Sequence, residues 1–165
     1  MTSYTIIKTP LGDLLLVANE SKLIGLYFDA CDHVPAARKT WNANPQHPIL
    51  REAEKQLREF FDGKRSGFSL PLHFAGTDFQ ERVWREIARV PYGKTISYSE
   101  LADKAGAPLA IRAAGTNTGL NPISIIIPCH RVVGKNGGMG GYAGGLERKR
   151  HLLELENSTI GLMKK

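Results

Sequence analysis

The sequence predicts an α+β fold, in which a small β-rich part is followed by a mainly helical part. Three short apolar segments, separated by turn residues, fill the first part of the 165-residue chain. Beyond Gly76 the apolar residues recur at spacings of three and four, which is typical of amphipathic helices. We therefore predict an N-terminal structural α/β domain at residues 1–75 and a C-terminal domain at residues 76–165.

The N-terminal domain is predicted to contain a sheet and one helix. The helix, from about Ile49 to Phe61, carries its apolar residues on one face and is expected to end at Gly63. Strands are favoured where apolar, β-branched and aromatic residues lie between turn-forming residues. The predicted strands are Tyr4–Thr9, Leu14–Ala18, Leu23–Phe28 and Phe68–Phe74.

The C-terminal domain opens and closes with a helix. Thr77 and Gln80 have the spacing of a capping box, and the helix that they begin is predicted to end near Val90. A last helix is predicted from about Leu146 to Glu156. Its basic residues are expected on a solvated side, and they are Arg148, Lys149 and Arg150.

Two short helices between these elements have the form of a helix-turn-helix. Ser97 and Glu100 again have capping-box spacing, at the start of a first helix, Tyr98–Lys104. A turn that contains glycine follows, and Pro108 suits the first position of a second helix that runs to about Thr118. The alternative is a pair of packed helices that contacts no nucleic acid.

The second of these helices is unusually poor in side-chain bulk. It is rich in alanine and glycine, and Arg112 is its only charged residue. A helix that reads base edges in the major groove normally carries several long polar side chains. This composition instead favours close backbone approach to a narrow minor groove, or to the gap left by a displaced base, with little sequence preference.

A candidate nucleophile follows the most apolar stretch of the chain. The run from Ile123 to Ile127 predicts a buried strand or near-strand that ends at Pro128, since proline cannot donate a ladder hydrogen bond. Cys129 would then lie at the floor of a cleft, with His130 beside it as a base. The alternatives are an inert buried cysteine, a structural histidine and a metal site, although spaced partner ligands for a metal are lacking nearby.

A histidine base also needs a group that orients its ring. Glu154 and Glu156 on the last predicted helix are the candidates. Because adjacent residues of an extended chain point to opposite sides, a bridging water between the cysteine and the histidine is an alternative to direct contact.

Composition narrows the class of protein further. No apolar stretch approaches the length of a membrane span, and the N-terminus lacks a signal core, so we expect a soluble cytoplasmic protein without a membrane partner. The two cysteines lie far apart and form no CxxC motif, and Cys31 receives no role. The net charge of +6 and the pI of about 9.4 fit a polyanionic partner such as nucleic acid, although many basic proteins bind none.

These residues carry a resemblance to a known family. The segment Pro128-Cys129-His130-Arg131-Val132 resembles the active-site signature of the O6-alkylguanine-DNA alkyltransferases, also called methylated-DNA–protein-cysteine methyltransferases. The resemblance extends over residues 77–156 and includes the runs at 112–115, 121–122 and 140–145. It implies a ribonuclease H-like sheet and helix in the N-terminal domain, and a helix-turn-helix of winged-helix type in a DNA-binding, alkyl-accepting C-terminal domain.

The resemblance also implies direct-reversal DNA repair. The family transfers a methyl or larger alkyl group irreversibly from O6 of guanine, and more weakly from O4 of thymine, in a flipped-out base to a cysteine, which here is Cys129. One molecule is consumed for each repair. The implied partner is double-stranded DNA with an O6-alkylguanine, bound through the minor groove by a monomer with little sequence preference. No cofactor and no metal are implied.

The roles of single residues follow from the same resemblance. Cys129 accepts the alkyl group, His130 deprotonates it through water, and Glu156 orients the imidazole. Asn121 acts as a hinge, and Tyr98 rotates the target phosphate and donates a proton to the leaving guanine. The implied DNA contacts are Arg112, which fills the space of the flipped nucleotide, Ala113, Thr116, Tyr98 and Arg131. The implied pocket residues are Tyr142, Ala143, Gly144 and Met139, and some relatives have serine where this chain has Ala143, which leaves only a backbone donor.

Three other functions compete with this hypothesis. A binding module on the same scaffold would only mark lesions, and the presence of Cys129 argues against it. A helix-turn-helix regulator would need base-reading side chains, which are scarce on the second helix. A thiol hydrolase would need an oxyanion hole, of which the sequence gives no separate sign.

Overall fold

The computed structural model describes residues 1–28, 34–134, 140–142 and 144–163, although side chains are not described at 37 and 158–163. The chain divides into two units. The first comprises Met1–Phe74 and Pro122–Ser124, and the second comprises Ala75–Asn121 and Ile125–Lys165. A sheet dominates the first unit and helices dominate the second, so the predicted α+β class is confirmed.

The first unit is built on a four-stranded sheet with the order β3-β2-β1-β4. The strands β1 (Ser3–Thr9), β2 (Gly12–Ala18) and β3 (Leu23–Phe28) are antiparallel neighbours, and the short β4 (Asn42–Ala43) pairs with β1 in parallel. All residues of β2 from Leu14 to Ala18 are buried, so the strand is covered on both faces. The three long strands confirm the strands predicted in this region.

The helix α1 (Pro48–Phe61) packs against the sheet strands β1 and β2. Its apolar stripe is fully buried and consists of Leu50, Ala53, Leu57 and Phe60. The helix ends in a left-handed residue, Gly63, at φ 72°. The backbone N–H of Gly63 donates to the Phe60 carbonyl and that of Lys64 to the Glu59 carbonyl, which is the bonding pattern of a glycine-terminated helix. The predicted helix stop is therefore confirmed.

The strand predicted at Phe68–Phe74 is wrong. Leu72 alone forms an isolated parallel bridge, with Leu23. The Leu23 N–H donates to the Pro71 carbonyl over 2.8 Å, and the His73 N–H donates to the Leu23 carbonyl over 3.0 Å. Because Pro71 has no N–H to offer, the ladder does not continue, and the segment is extended chain rather than a strand.

The second unit contains four α-helices among its described residues: α2 (Asp78–Ala88), α3 (Tyr98–Lys104), α4 (Ile111–Gly119) and α5 (Leu146–Met163). Thr77 and Ser97 form complete capping boxes with Gln80 and Glu100, so the two predicted helix starts are confirmed. The helices α2, α3 and α4 pack against one another. Two short parallel strands, β5 (Ile96–Ser97) and β6 (Val132–Val133), join the start of α3 to the segment after Cys129.

The second helix of the helix-turn-helix begins later than predicted. Pro108 is not its first residue, because Ala107–Ala110 form a tight turn in which the Ala110 N–H donates to the Ala107 carbonyl over 2.9 Å. Ala110 is the N-cap, and α4 starts at Ile111. The proline's fixed φ therefore serves the turn rather than the helix.

The buried strand predicted from Ile123 to Ile127 is also wrong. Ile123 forms one isolated bridge with Leu26 and the run then leaves the sheet. Ile125 has a φ of 70°, a left-handed conformation that a β-branched side chain rarely adopts, and it is buried. Such strain costs about 1–3 kcal/mol and persists only where the surroundings enforce it. The chain is thus bent sharply just before Pro128.

No described helix is both long and apolar enough to cross a membrane.

Candidate active site

The candidate nucleophile lies on a single turn of 3₁₀ helix, Cys129–Arg131, between Pro128 and β6. The backbone N–H of Cys129 donates to the Ile127 carbonyl over 2.7 Å and forms a tight turn around Pro128, and the Arg131 N–H donates to the Pro128 carbonyl over 2.9 Å and closes the 3₁₀ turn. Cys129 is a free thiol and only 2% exposed. The turn replaces the extended chain that the sequence suggested.

The base and its orienting group form a buried pair. His130 Nε2 and Glu156 Oε2 lie 2.6 Å apart, and both side chains are buried. Of the two carboxylates that the sequence offered, Glu156 therefore contacts the histidine, and Glu154 is exposed. His130 Nδ1 has no hydrogen-bond partner among the described residues, which leaves that nitrogen available to a proton from elsewhere.

The ionisation of the pair fixes the histidine tautomer. Burial alone would raise the pKa of Glu156, but the hydrogen bonds and positive charge of His130 and Arg131 outweigh it and lower the pKa to about 2. Burial lowers the pKa of His130 below its ordinary value of 6.5. At neutral pH an ionised Glu156 only accepts, so Nε2 carries the histidine proton and Nδ1 is a proton acceptor.

Arg131 belongs to this buried cluster and not to a DNA surface. Its Nη2 lies 2.8 Å from Glu156 Oε2 and its Nη1 donates to the Val90 carbonyl over 2.7 Å. The side chain is 8% exposed, and its guanidinium lies over the ring of Tyr92. Because these contacts occupy it in the interior, the prediction that Arg131 contacts DNA is wrong.

Asn121 links the end of α4 to the chain before the nucleophile. It is buried, and its Nδ2 donates to the Ile127 carbonyl over 2.7 Å. The side chains of Asn121 and Tyr142 also hydrogen-bond toward the Cys129 sulfur in a way that favours the thiolate. Asn121 therefore acts on both the backbone and the sulfur of the 3₁₀ turn.

A cavity of about 690 Å³ lies against two tyrosines that neighbour the nucleophile, although Cys129 itself is not among its lining residues. Tyr98 and Tyr142, whose phenols both interact with the Cys129 sulfur, form part of its wall. The Tyr98 hydroxyl donates to the Gly141 carbonyl over 3.4 Å and joins α3 to the described residues 140–142. The remaining lining residues are Gly141 and five residues of α4: Ile111, Arg112, Gly115, Thr116 and Gly119.

The cavity brings together four of the nine residues predicted for DNA and substrate. Tyr98, Arg112, Thr116 and Tyr142 line it, and Ala113 is exposed on α4. Gly144 is not among the lining residues, and its carbonyl accepts from Arg148 Nη1 over 3.1 Å. Met139 and Ala143 lie outside the described residues, as does Cys31. Within the described part of the chain, no group of three or more His, Cys, Asp or Glu could hold a metal.

Family models match both parts of the chain. The ribonuclease-like domain of 6-O-methylguanine DNA methyltransferase matches residues 2–74, and the DNA binding domain of the same protein matches residues 78–158. The chain belongs to the 6-O-methylguanine DNA methyltransferase family. The resemblance read from the sequence is thereby confirmed, as is the expected ribonuclease-type fold of the first part.

Individual members of the methyltransferase family are similar along almost the whole chain. The methylated-DNA–protein-cysteine methyltransferase of Mycobacterium bovis is 45% identical over 158 residues, which cover 96% of this chain and 94% of that protein. The constitutive methylated-DNA–protein-cysteine methyltransferase of Bacillus subtilis is 42% identical, with coverage of 94% and 96%. The crystal structure of Mycobacterium tuberculosis OGT in complex with DNA is 44% identical, has a TM-score of 0.89, and is matched over 95% of this chain and 94% of that chain.

In this family member, the sequence reasoning missed one functional candidate, Lys149. Its side chain is buried rather than solvated, and its Nζ donates to the Val132 carbonyl over 2.6 Å and to the Gly141 carbonyl over 3.2 Å. Burial lowers the pKa of Lys149 to about 8, and the nearby Cys129 sulfur opposes that shift. Helical spacing could have found it, because Lys149, Leu152 and Glu156 share one buried face of α5.

The surroundings of the Cys129 thiol act on its pKa in opposite directions. Burial raises the pKa above its ordinary value. The Asn121 hydrogen bond, the charge of Lys149 and the Tyr142 hydrogen bond each lower it. The family member therefore holds a protected thiol that is surrounded by groups ready to stabilise its negative form.

Proposed function

We propose that this chain repairs DNA by transferring an alkyl group from O6 of guanine to Cys129. The observation that carries the proposal is a buried thiol that directly precedes the His130–Glu156 pair in the chain and whose sulfur interacts with Tyr98 and Tyr142 of the cavity wall. The names of the relatives support the activity, since they are methylated-DNA–protein-cysteine methyltransferases. Larger alkyl groups on guanine and, more weakly, O4-alkylthymine are further substrates of the same chemistry.

Activation of the thiol begins at His130. Its Nδ1 takes the Cys129 proton through a bridging water, and Glu156 stabilises the imidazolium that results. Lys149 and the Asn121 and Tyr142 side chains stabilise the thiolate. Because a neutral imidazole is the competent base, the lowered pKa of His130 keeps the base ready at neutral pH.

The transfer is a displacement at the alkyl carbon. The Cys129 sulfur forms the new S–C bond, and the C–O6 bond breaks with its electron pair going to guanine. Tyr98 donates a proton to the guanine, whose negative charge is thereby neutralised. Burial raises the pKa of Tyr98, so its proton is held until the leaving base needs it. The product is a thioether, which water does not readily cleave, and one molecule is consumed for each repair.

DNA reaches this site through α4. Arg112 is exposed and forms no ion pair or side-chain hydrogen bond with any described residue, so its charge is available to DNA. Ala113 and Gly115 leave little bulk between the helix backbone and a minor groove, and Thr116 lines the same cavity. In the proposal the target nucleotide is flipped out, and Arg112 fills the gap that it leaves. One monomer binds the damaged DNA, and it does so with little sequence preference.

The two parts of the chain have different roles in this proposal. Residues 1–75 form the structural domain, and residues 76–165 bind DNA and accept the alkyl group. Asn121 stands at the point where the chain passes between the units and acts as the hinge of the 3₁₀ turn. The chemistry needs a reduced thiol and no cofactor or metal, which supports action in the cytoplasm.

Peptide mass spectrometry tests the proposal. The protein is incubated with a duplex that carries O6-methylguanine and is then digested. One methyl group is expected on the Cys129 peptide, with stoichiometric and not catalytic consumption of the lesion. Binding without methyl addition would instead identify a lesion-marking module. In Cys129→Ser, transfer should be abolished while DNA affinity is retained, and parallel loss of both would contradict the role of the thiol.

A further inference from the structure

The turn between α3 and α4 holds a large apolar side chain fully in solvent. Leu109 is 100% exposed and Ile111 is 44% exposed. Single exposed apolar residues are common and need no explanation. These two lie two positions apart, however, and Ile111 immediately precedes Arg112, which the proposed function places in DNA. Apolar surface is therefore concentrated at the entrance to the helix that meets the nucleic acid.

The backbone that carries Leu109 is fixed in advance. Pro108 has a restricted φ, and the Ala110 N–H closes the turn on the Ala107 carbonyl over 2.9 Å. The Ala107 N–H donates to the Ala102 carbonyl, also over 2.9 Å, and ties the turn to α3. A side chain on a fixed turn loses less conformational entropy when it is buried by a partner. The turn is thus suited to present leucine to another molecule.

Ile111 of this apolar pair lines the proposed substrate cavity together with Arg112 and Gly115, and Leu109 precedes it by two residues in the chain. An apolar pair beside an available cation matches duplex DNA from which one base has been removed, because base faces are exposed there next to charged phosphates. This placement favours DNA over an apolar protein surface as the occupant.

We propose that Leu109 and Ile111 form an apolar wedge that contacts the base step beside the flipped nucleotide. The inference rests on the proposed function and adds a specificity-determining pair to it. Leucine and isoleucine inserted against a base step unstack it, and the unstacked duplex gives up the target nucleotide more easily. The wedge lowers the cost of flipping, whereas Arg112 occupies the gap afterwards.

Binding measurements test the wedge. Each variant is made in a Cys129→Ser background, and its affinity for a fluorescent duplex with O6-methylguanine is measured at low and high salt. Leu109→Ala is expected to weaken binding about tenfold, by a similar factor at both salt concentrations, because no phosphate contact is lost. Ile6→Ala removes a side chain that is 41% exposed in the first unit and serves as the matched control. Equal affinities for Leu109→Ala and its parent would overturn the proposal.

Fluorescence of 2-aminopurine beside the lesion measures unstacking directly. Saturating protein should raise the fluorescence, and Leu109→Ala should raise it much less. Leu109→Lys adds a phosphate-binding charge, so it should steepen the salt dependence of affinity by about one phosphate contact without restoring the fluorescence. A full fluorescence rise with Leu109→Ala would show that the side chain does not unstack DNA.

A free base separates failure of the wedge from failure of the proposed function. O6-benzylguanine has no duplex to unstack, so Leu109→Ala should slow duplex repair far more than it slows this reaction. If the unaltered protein transfers no methyl group to Cys129, the proposed function itself fails. If it transfers normally and Leu109→Ala repairs duplex equally fast, only the wedge fails. A changed sedimentation coefficient in Leu109→Ala with unchanged DNA affinity would identify a self-association surface and also overturn the wedge.

Discussion

His130 and Glu156 are joined by a 2.6 Å contact between Nε2 and Oε2 at the centre of a buried cluster. The same carboxylate accepts from Arg131 Nη2 over 2.8 Å and from the Gly93 N–H over 3.1 Å. One side chain of α5 therefore holds the base, the arginine of the 3₁₀ turn and the loop after α2. The Glu156 carboxylate therefore serves both catalysis and stability, and substitutions of Glu156 should change both the transfer rate and the free energy of unfolding.

Glu156→Gln should slow alkyl transfer and destabilise the protein. The amide removes the negative charge that stabilises an imidazolium and leaves Arg131 with an uncompensated buried charge. Breaking a buried ion pair in this way costs about 3 kcal/mol. Stopped-flow measurement with O6-benzylguanine gives the rate, and urea unfolding gives the stability. Glu154→Gln changes an exposed residue of the same helix and should leave the transfer rate and the stability unchanged. An equal effect of the two substitutions would contradict the assignment of Glu156 as the group that orients His130.

Acid should destabilise the folded protein through the same cluster. The pKa of Glu156 is lowered from an ordinary 4.5 to about 2, so the unfolded chain binds a proton first as the pH falls. The lowered pKa of Glu156 contributes about 3 kcal/mol to the free energy of unfolding. This contribution is fully present above pH 4.5 and is lost as the pH falls toward 2. The lowered pKa of His130 acts with the same sign below its ordinary value of 6.5.

Urea unfolding between pH 7 and pH 3 measures this dependence. The unaltered protein should lose stability steeply in the acid range, whereas Glu156→Gln should follow a flatter curve. The stability difference between the two should therefore shrink as the pH falls below 4.5. Parallel curves over the whole range would refute a lowered pKa for Glu156.

Lys149→Met should raise the pKa of the Cys129 thiol and slow transfer at neutral pH. The buried ammonium favours the thiolate, and a thiol pKa that is higher by one unit leaves about tenfold less thiolate. The pH–rate profile with O6-benzylguanine should move to higher pH. Arg150→Met, at the next and exposed position of α5, is the control, and an equal displacement of its profile would contradict the role of Lys149.

Arg112→Ala should impair repair of duplex DNA by about tenfold or more, with a much smaller loss for free O6-benzylguanine, because only the duplex has a gap to fill. Arg112→Lys keeps the positive charge but lacks the planar guanidinium, and we expect an intermediate rate. Single-turnover rates with the two substrates give the ratio. Equal losses with both substrates would rule out a role for Arg112 in the vacated space.

Gly140→Ala should displace Tyr98 and slow transfer. Gly140 has a φ of 64°, and a Cβ built on it would lie 2.6 Å from the Tyr98 hydroxyl. The strained backbone alone costs about 1 kcal/mol. The temperature of thermal unfolding and the rate of alkyl transfer should both fall. Gly141→Ala is the matched comparison, since a Cβ there meets no atom within 4 Å, and equal stability losses in the two variants would refute the contact.

Local signals in the sequence predicted much of the fold because they act over a few residues. The capping residues Thr77 and Ser97 satisfy backbone donors three residues away, so their helix starts are visible in the sequence itself. The left-handed stop at Gly63 is equally local. The Pro-Cys-His segment was informative for the same reason, since a nucleophile and a base stand side by side in the chain.

Features that depend on distant partners were missed. Arg131 and Lys149 are charged and would be solvated by default, and contacts with distant partners such as Glu156, Val90 and Val132 make their burial tolerable. The apolar run before Pro128 predicts a strand by its composition, and periodicity cannot reveal the left-handed bend at Ile125. In each case the tertiary environment overrides the local preference.

The position of Glu156 on the last helix has a consequence for biosynthesis. During translation Cys129 and His130 leave the ribosome before Glu156 does. The imidazole therefore gains its orienting carboxylate only after α5 has docked against the 3₁₀ turn. We expect a nascent chain that stops short of this glutamate to carry an unactivated cysteine, so that the capacity to accept an alkyl group arises only once synthesis has passed α5.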